Sequence, residues 1–149
     1  MQQSGDFAAD TVVLRPAGWG ATGDDGRATL DKIKRPGHVY RGMEAAEYEA
    51  TLGAGKPIYS TGAYSHRSEG TSFDGDPATA ESYVNFGRSD PRTTGRDTFL
   101  VEVRRTASMY VDKDGYTKDR SPVSPENVTR VWRMFAQAGE VVMKLMIGR

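Results

Sequence analysis

Three short stretches of this chain carry side chains suited to chemistry on a flat, charged molecule. In Val39-Tyr40-Arg41-Gly42-Met43 a single arginine stands in a β-leaning run. A guanidinium turned inward there must meet an anion, and its planar fork matches phosphate best. Gly42, without a side chain, lets a ligand approach the backbone. In Gly70-Thr71-Ser72-Phe73 two hydroxyls can donate to a carboxamide or to nearby backbone. Phe73, or Tyr83 further on, can stack on a planar ring. In Ser124-Pro125-Glu126 a carboxylate follows two prolines and precedes a strand-like run. Beside a sugar it would bond a ribose hydroxyl and stabilise a developing oxocarbenium ion. Plainer roles fit as well: an edge arginine in solvent, a helix cap with core aromatics, a surface glutamate at a strand start.

The rest of the composition closes off much other chemistry. There is no cysteine, which removes disulfides, thiolate nucleophiles and cysteine-based zinc sites. Of the two histidines, neither His38 nor His66 lies in a nucleophile-elbow pattern, and no His-Glu-x-x-His occurs, so no metal is expected. Gly53-Ala54-Gly55-Lys56-Pro57 fails as a phosphate loop, because Pro57 stands where a hydroxyl should hold magnesium. Asp112-Lys113-Asp114-Gly115 reads as a turn, since the later ligands of a calcium loop are missing. What remains is chemistry that needs an arginine, hydroxyls, an aromatic platform and one carboxylate.

A chain of 149 residues suits one domain with a sizeable core. Its 20 basic and 20 acidic side chains cancel, but unevenly. Residues 1–85 hold 8 Lys and Arg against 12 Asp and Glu, and residues 86–149 hold 12 against 8. Such a dipolar pattern gives no wholesale basic footprint for nucleic acid. No apolar run is long enough to span a bilayer, and the first residues lack the basic and apolar regions of a secretion signal. A soluble, cytoplasmic protein is therefore expected.

The elements that must position these residues are short, as seventeen glycines and seven prolines imply. Residues 1–37 read as an N-terminal arm with a short strand at Thr11–Leu14, Trp19 as an anchor and a helix over 28–35. The core domain then spans 38–149. His38 to Met43 reads as a strand, 44–52 as a helix stopped by Gly53, and 56–60 as a further strand. Asp76 caps a helix with Pro77 in its first turn, and Ala80, Tyr83 and Val84 form the inward stripe. Strands follow at 99–103 and 109–111. The chain closes with a hairpin of 128–135 and 141–147 around Gln137-Ala138-Gly139. Early helices and late strands predict an α+β fold of mainly antiparallel sheets.

In order and spacing the three stretches resemble the NAD-dependent ADP-ribosyltransferase superfamily, over roughly His38 to Ile147. Members carry an arginine on the first core strand, a helix, then a strand such as Thr-Ser-Phe. A helix with the spacing of Ala80 and Tyr83 follows, and a glutamate at the start of a late strand. The resemblance implies two packed, mainly antiparallel sheets and NAD as co-substrate. It implies that Arg41 and Gly42 hold the pyrophosphate or adenosine ribose. Thr71 and Ser72 would shape the nicotinamide site, Phe73 or Tyr83 would stack on the ring, and Glu126 would serve as the catalytic carboxylate. Transfer of ADP-ribose to a macromolecule, a protein ahead of a nucleic acid, or plain NAD hydrolysis would follow. By family analogy a lone domain of this kind suits an effector, a toxin or a phage modifier of a host factor.

Arginine-modifying members carry Glu or Gln two residues before the catalytic glutamate, where this chain has Ser124. Glu140, which opens the last strand, is a second candidate carboxylate, and Ser60-Thr61 a second hydroxyl pair. A rival reading from a different class is a non-enzymatic binding, inhibitor or virion module. The two readings separate on whether Arg41, Ser72 and Glu126 share one cleft.

Overall fold

The computed structural model describes residues 11–18, 22–59 and 70–148. Trp19, His66 and the pair Ser60-Thr61 lie outside the described residues. Within them the fold is α+β with two antiparallel sheets. Five strands pair in the order β1 (Thr11–Arg15), β8 (Glu140–Gly148), β7 (Val128–Gln137), β4 (Thr98–Arg104) and β2 (His38–Glu44). Three short strands, β3 (Thr71–Phe73), β6 (Thr117–Asp119) and β5 (Met109–Val111), form the second sheet.

Strand β4 is buried on both faces, which is why it reads as an almost unbroken apolar run. One face of the large sheet packs toward the small sheet through Val39, Met43, Phe73, Val101 and Val131. The other packs through Tyr40, Leu100, Trp132 and Met143 against α1 (Asp24–Ile33) and α3 (Pro77–Ser82), which contribute Leu30 and Ala80. Alternation along β2 therefore sends Val39, Arg41 and Met43 one way and Tyr40 and Gly42 the other.

Of residues 1–37, read as an arm, the described stretches 11–18 and 22–37 contribute to this core. Strand β1 lies on β8, and Leu14 and Leu30 are fully buried. The helix there starts at Asp24 rather than 28, where two aspartates favour its N-terminus, and Lys34 is already extended ahead of Pro36. Of the segment expected as a strand over 56–60, the described residues 56–59 make a lone bridge, Ile58 to Val123. The helix after β2 is α2 (Ala45–Ala50), continued by a 3-10 turn at Leu52–Ala54. Tyr48 holds it to the sheet by stacking on Phe99, ring centres 3.8 Å apart.

Asp76 caps α3 as expected, accepting from the Ala78 N–H at 3.2 Å, with Pro77 next. The helix ends at Ser82, earlier than Gly87, and a short α4 (Pro91–Thr94) follows in what reads as loop. The closing hairpin forms as read. Ala138 and Gly139 both take positive φ, 53° and 78°, which matches the right-handed twist of the strands they join.

Candidate binding cleft

Strand β2 is an edge of the large sheet, and its free edge is where the site forms. The backbone of Asp74, just past β3, pairs with Tyr40 in both directions at 2.7 and 2.8 Å. This tie sets the small sheet against the edge of the large one. Between β2, β3, β6 and α3 it leaves a cleft of about 390 Å³. Arg41, Gly42, Ser72, Phe73 and Tyr83 all border it, so five expected ligand-binding residues from three segments meet in one place.

Arg41 turns inward and finds its anion within the protein. Its Nε and one terminal nitrogen donate to the two oxygens of Glu47, at 2.6 and 3.0 Å, and the other terminal nitrogen donates to the Ser72 carbonyl at 2.7 Å. Both side chains of the ion pair are largely buried. Glu47 was not singled out from sequence. Its place in the first turn of α2, six residues after an inward arginine on an edge strand, is the signal that pointed to it.

Gly42 has a different reason to be glycine from the one expected. A Cβ there would stand 2.3 Å from the Ala80 carbonyl oxygen, so the missing side chain admits α3 rather than a ligand. Thr71 and Ser72 point to opposite faces, as neighbours on a strand must. Thr71 is buried and does not border the cleft, while Ser72 does. Phe73 borders the cleft from within the core. Tyr83 is no part of an inward stripe: it is 57% exposed, the helix having ended one residue before it. Its hydroxyl sits by Tyr116 and Asp74. Partial burial first, then these two neighbours, push its pKa above the usual phenol value.

Glu126 is not among the residues bordering the cleft. It lies exposed in a 3-10 turn, Pro125–Asn127, ahead of β7. Arg41 is level with Val101 on β4, and Val101 with Val131 on β7. Glu126 therefore lies beyond the start of β7, a strand separated from β2 by β4. Glu140 does not border the cleft either, and pairs with Gln137 at the hairpin turn. The carboxylates that do border it are Glu44, Glu47 and Asp74. Asp74 follows Phe73 directly, and its Oδ1 accepts the Asp76 N–H at 2.8 Å.

Strand β6 was not foreseen, since Thr-Lys-Asp has no strand-like pattern. Pairing with β3 and β5 holds it, and it brings Lys118 opposite Ser72 at the wall of the cleft. Lys118 lies 3.6 Å from Asp112, in the turn between β5 and β6. Among the described residues no group of three or more His, Cys, Asp or Glu could hold a metal, and no helix is long and apolar enough to cross a membrane. Compared with known proteins, the chain matches no family model, no curated sequence and no solved structure.

Proposed function

We propose that the protein binds NAD in the β2–β3 cleft and transfers ADP-ribose to a macromolecular acceptor, a protein in the first instance. The observation that supports this is the meeting of Arg41, Ser72, Phe73 and Tyr83 around one cavity at the edge of β2. The exposed Tyr83 ring offers a stacking surface for nicotinamide, and the Ser72 hydroxyl a donor for its carboxamide. In the reaction the bond between ribose C1′ and the nicotinamide nitrogen breaks, and its electron pair leaves with nicotinamide. An acceptor nucleophile then bonds to C1′ and gives up its proton. The step requires positioning and one nearby anion, not an activated protein nucleophile. Glu126 lies outside the cleft, so that anion is assigned to Asp74, the bordering carboxylate beside Phe73 and Tyr83.

Nicotinamide release from NAD by purified protein tests this reading. The wild-type chain, with cell lysate as acceptor source, is expected to release nicotinamide. Asp74→Asn should lower the rate about 100-fold, the usual loss on removing one charge-stabilising group, and Glu126→Gln should leave it unchanged. Loss of release in Glu126→Gln alone would restore Glu126 as the catalytic carboxylate.

A second reading, a binding module without turnover, is the one that the shared-cleft criterion favours, since Glu126 does not border the cleft that Arg41 and Ser72 share. Arg41 is already matched by Glu47, and the strand opposite Ser72 presents a lysine rather than a carboxylate. No nicotinamide release together with a thermal shift by NAD would establish that reading. Neither release nor shift would remove NAD altogether.

A further inference from the structure

A second, smaller hollow of about 150 Å³ adjoins the cleft, and Glu44, the last residue of β2, forms part of the wall of both. The hollow lies where β2 hands over to α2, facing the segment between α3 and β4. Arg88 and Arg96 border it. Their charges are little committed. Arg96 stands 3.6 Å from Glu49 with both side chains more than half exposed, a loosely held pair. Arg88 has no hydrogen bond or ion pair among the described residues. The carboxylates of the hollow, by contrast, are occupied: Glu44 accepts from the Ser89 hydroxyl, and Asp97 is paired with Arg133 at 3.5 Å.

A charge argument links the two spaces. A dinucleotide brings a diphosphate, and the family resemblance implies that Arg41 holds either that diphosphate or the adenosine ribose. Arg41 cannot supply the charge, because Glu47 already neutralises it through two hydrogen bonds. Lys118 is likewise matched with Asp112. The cavity is also at the small end of ligand sites, which run from about 300 to 1,000 Å³, enough for a nucleoside rather than a whole dinucleotide. The ligand must run on, and the next cations along the wall are Arg88 and Arg96.

We infer that the Glu44–Arg88–Arg96 hollow is a phosphate subsite that continues the nucleoside cleft. This rests on the proposal that the cleft takes a nucleotide. The base stacks by Tyr83, the ribose passes the shared wall at Glu44, and the phosphates meet the two guanidinium groups. Arginine suits this role because its fork bonds phosphate oxygens in pairs.

Titrations of the full chain with four compounds test the subsite and the cleft separately. Nicotinamide riboside reports the cleft alone, nicotinamide mononucleotide and NAD report both, and inorganic pyrophosphate, followed by broadening of its phosphorus resonance, reports the subsite alone. The double variant Arg88→Gln/Arg96→Gln, at two exposed positions, should fold normally. It is expected to weaken mononucleotide and NAD binding about tenfold or more, abolish the pyrophosphate broadening and leave the riboside unchanged. Mononucleotide binding no tighter than the riboside, or pyrophosphate broadening that the double variant retains, would overturn the subsite. A wild-type chain that broadens pyrophosphate but binds no riboside would sink the cleft reading while keeping the subsite.

Discussion

Two neighbours on β2, Tyr40 and Arg41, lead to two arginine–carboxylate centres that look alike in composition and differ in accounting. On the helix-covered face, Tyr40 donates to Glu102 at 2.8 Å. The same carboxylate also receives Thr129 at 2.7 Å, Arg35 at 2.7 and 3.1 Å, and Arg130 through two nitrogens. Glu102 is fully buried, and every lone pair has a donor. Burial alone would raise its pKa, but the hydrogen bonds from Arg130, Thr129, Tyr40 and Arg35 outweigh this and bring it down to about 2. On the other face, Arg41 is held by the Glu47 carboxylate and the Ser72 carbonyl, next to open space. A centre closed on all sides holds strands together. One closed on a single side holds a wall in shape and leaves the remaining surface to a ligand.

The largest effect should come from opening the closed centre. Glu102→Ala leaves two arginines, a phenol and a threonine hydroxyl without their acceptor, and should cost about 3–5 kcal/mol in a denaturant titration. The centre also predicts two pH limits. Glu102 has a depressed pKa in the fold, so its contribution is present above about pH 4.5 and lost as pH falls toward 2. Tyr40 has a raised pKa, pushed to about 12 by burial first and then by its bond to Glu102. Its contribution is present below about pH 10 and lost as pH rises to 12. A shift from 4.5 to about 2 is worth about 3 kcal/mol at neutral pH. Stability that stays flat from pH 5 to pH 3 would break the contrast between the two centres.

Next in size is the strand between them. Gly42→Ala forces a methyl against the Ala80 carbonyl, which is backbone and cannot rotate away. It should destabilise by about 2 kcal/mol, a typical cost of overpacking. If Gly42 were open to ligand instead, stability would be unchanged and only binding would suffer.

How much of this was legible depended on range. Asp76 and the Ala138-Gly139 turn announce themselves through local rules of capping and φ, and the structure uses them as read, whereas Arg41 announces an anion that turns out to be Glu47. Tyr83 was misplaced because α3 stops at Ser82, and helical spacing means nothing beyond a helix end. Strand β6 was missed because three polar residues become a strand only by pairing with β3. Glu126 looked like a partner of Arg41 because order along the chain carries no register: that it lies two strands across emerges only once β4 and β7 are paired. Strand β1, in the stretch read as an arm, is hidden for the same reason, since it gains its place from β8, at the other end of the sequence.

The cleft centre should be softer than the hub. A double-mutant cycle of Arg41→Gln and Glu47→Gln is expected to give a coupling of about 1 kcal/mol in stability, since the pair is mostly buried yet borders solvent. A coupling as large as the loss at Glu102 would make the pair a second hub and weaken its place in a binding wall.

The smallest structural effect belongs to the residue that should matter most for a ligand. Tyr83 stands half in solvent at the mouth of the cleft, with its hydroxyl near Tyr116 and Asp74. Its ring contributes little to the core, so Tyr83→Ala should change unfolding free energy by no more than about 0.5 kcal/mol. Stacking on a planar ring is a different matter, worth about 1–3 kcal/mol per base. Tyr83→Ala should therefore weaken nicotinamide riboside binding about tenfold while the melting curve barely moves, and Tyr83→Phe should retain most of the affinity because the ring face is kept. If both variants bind like the wild type, the exposed ring is surface and the ligand's plane must rest on Phe73 alone. If both lose affinity equally, the hydroxyl shared with Tyr116 is the contact, and the cleft recognises a polar edge rather than a face.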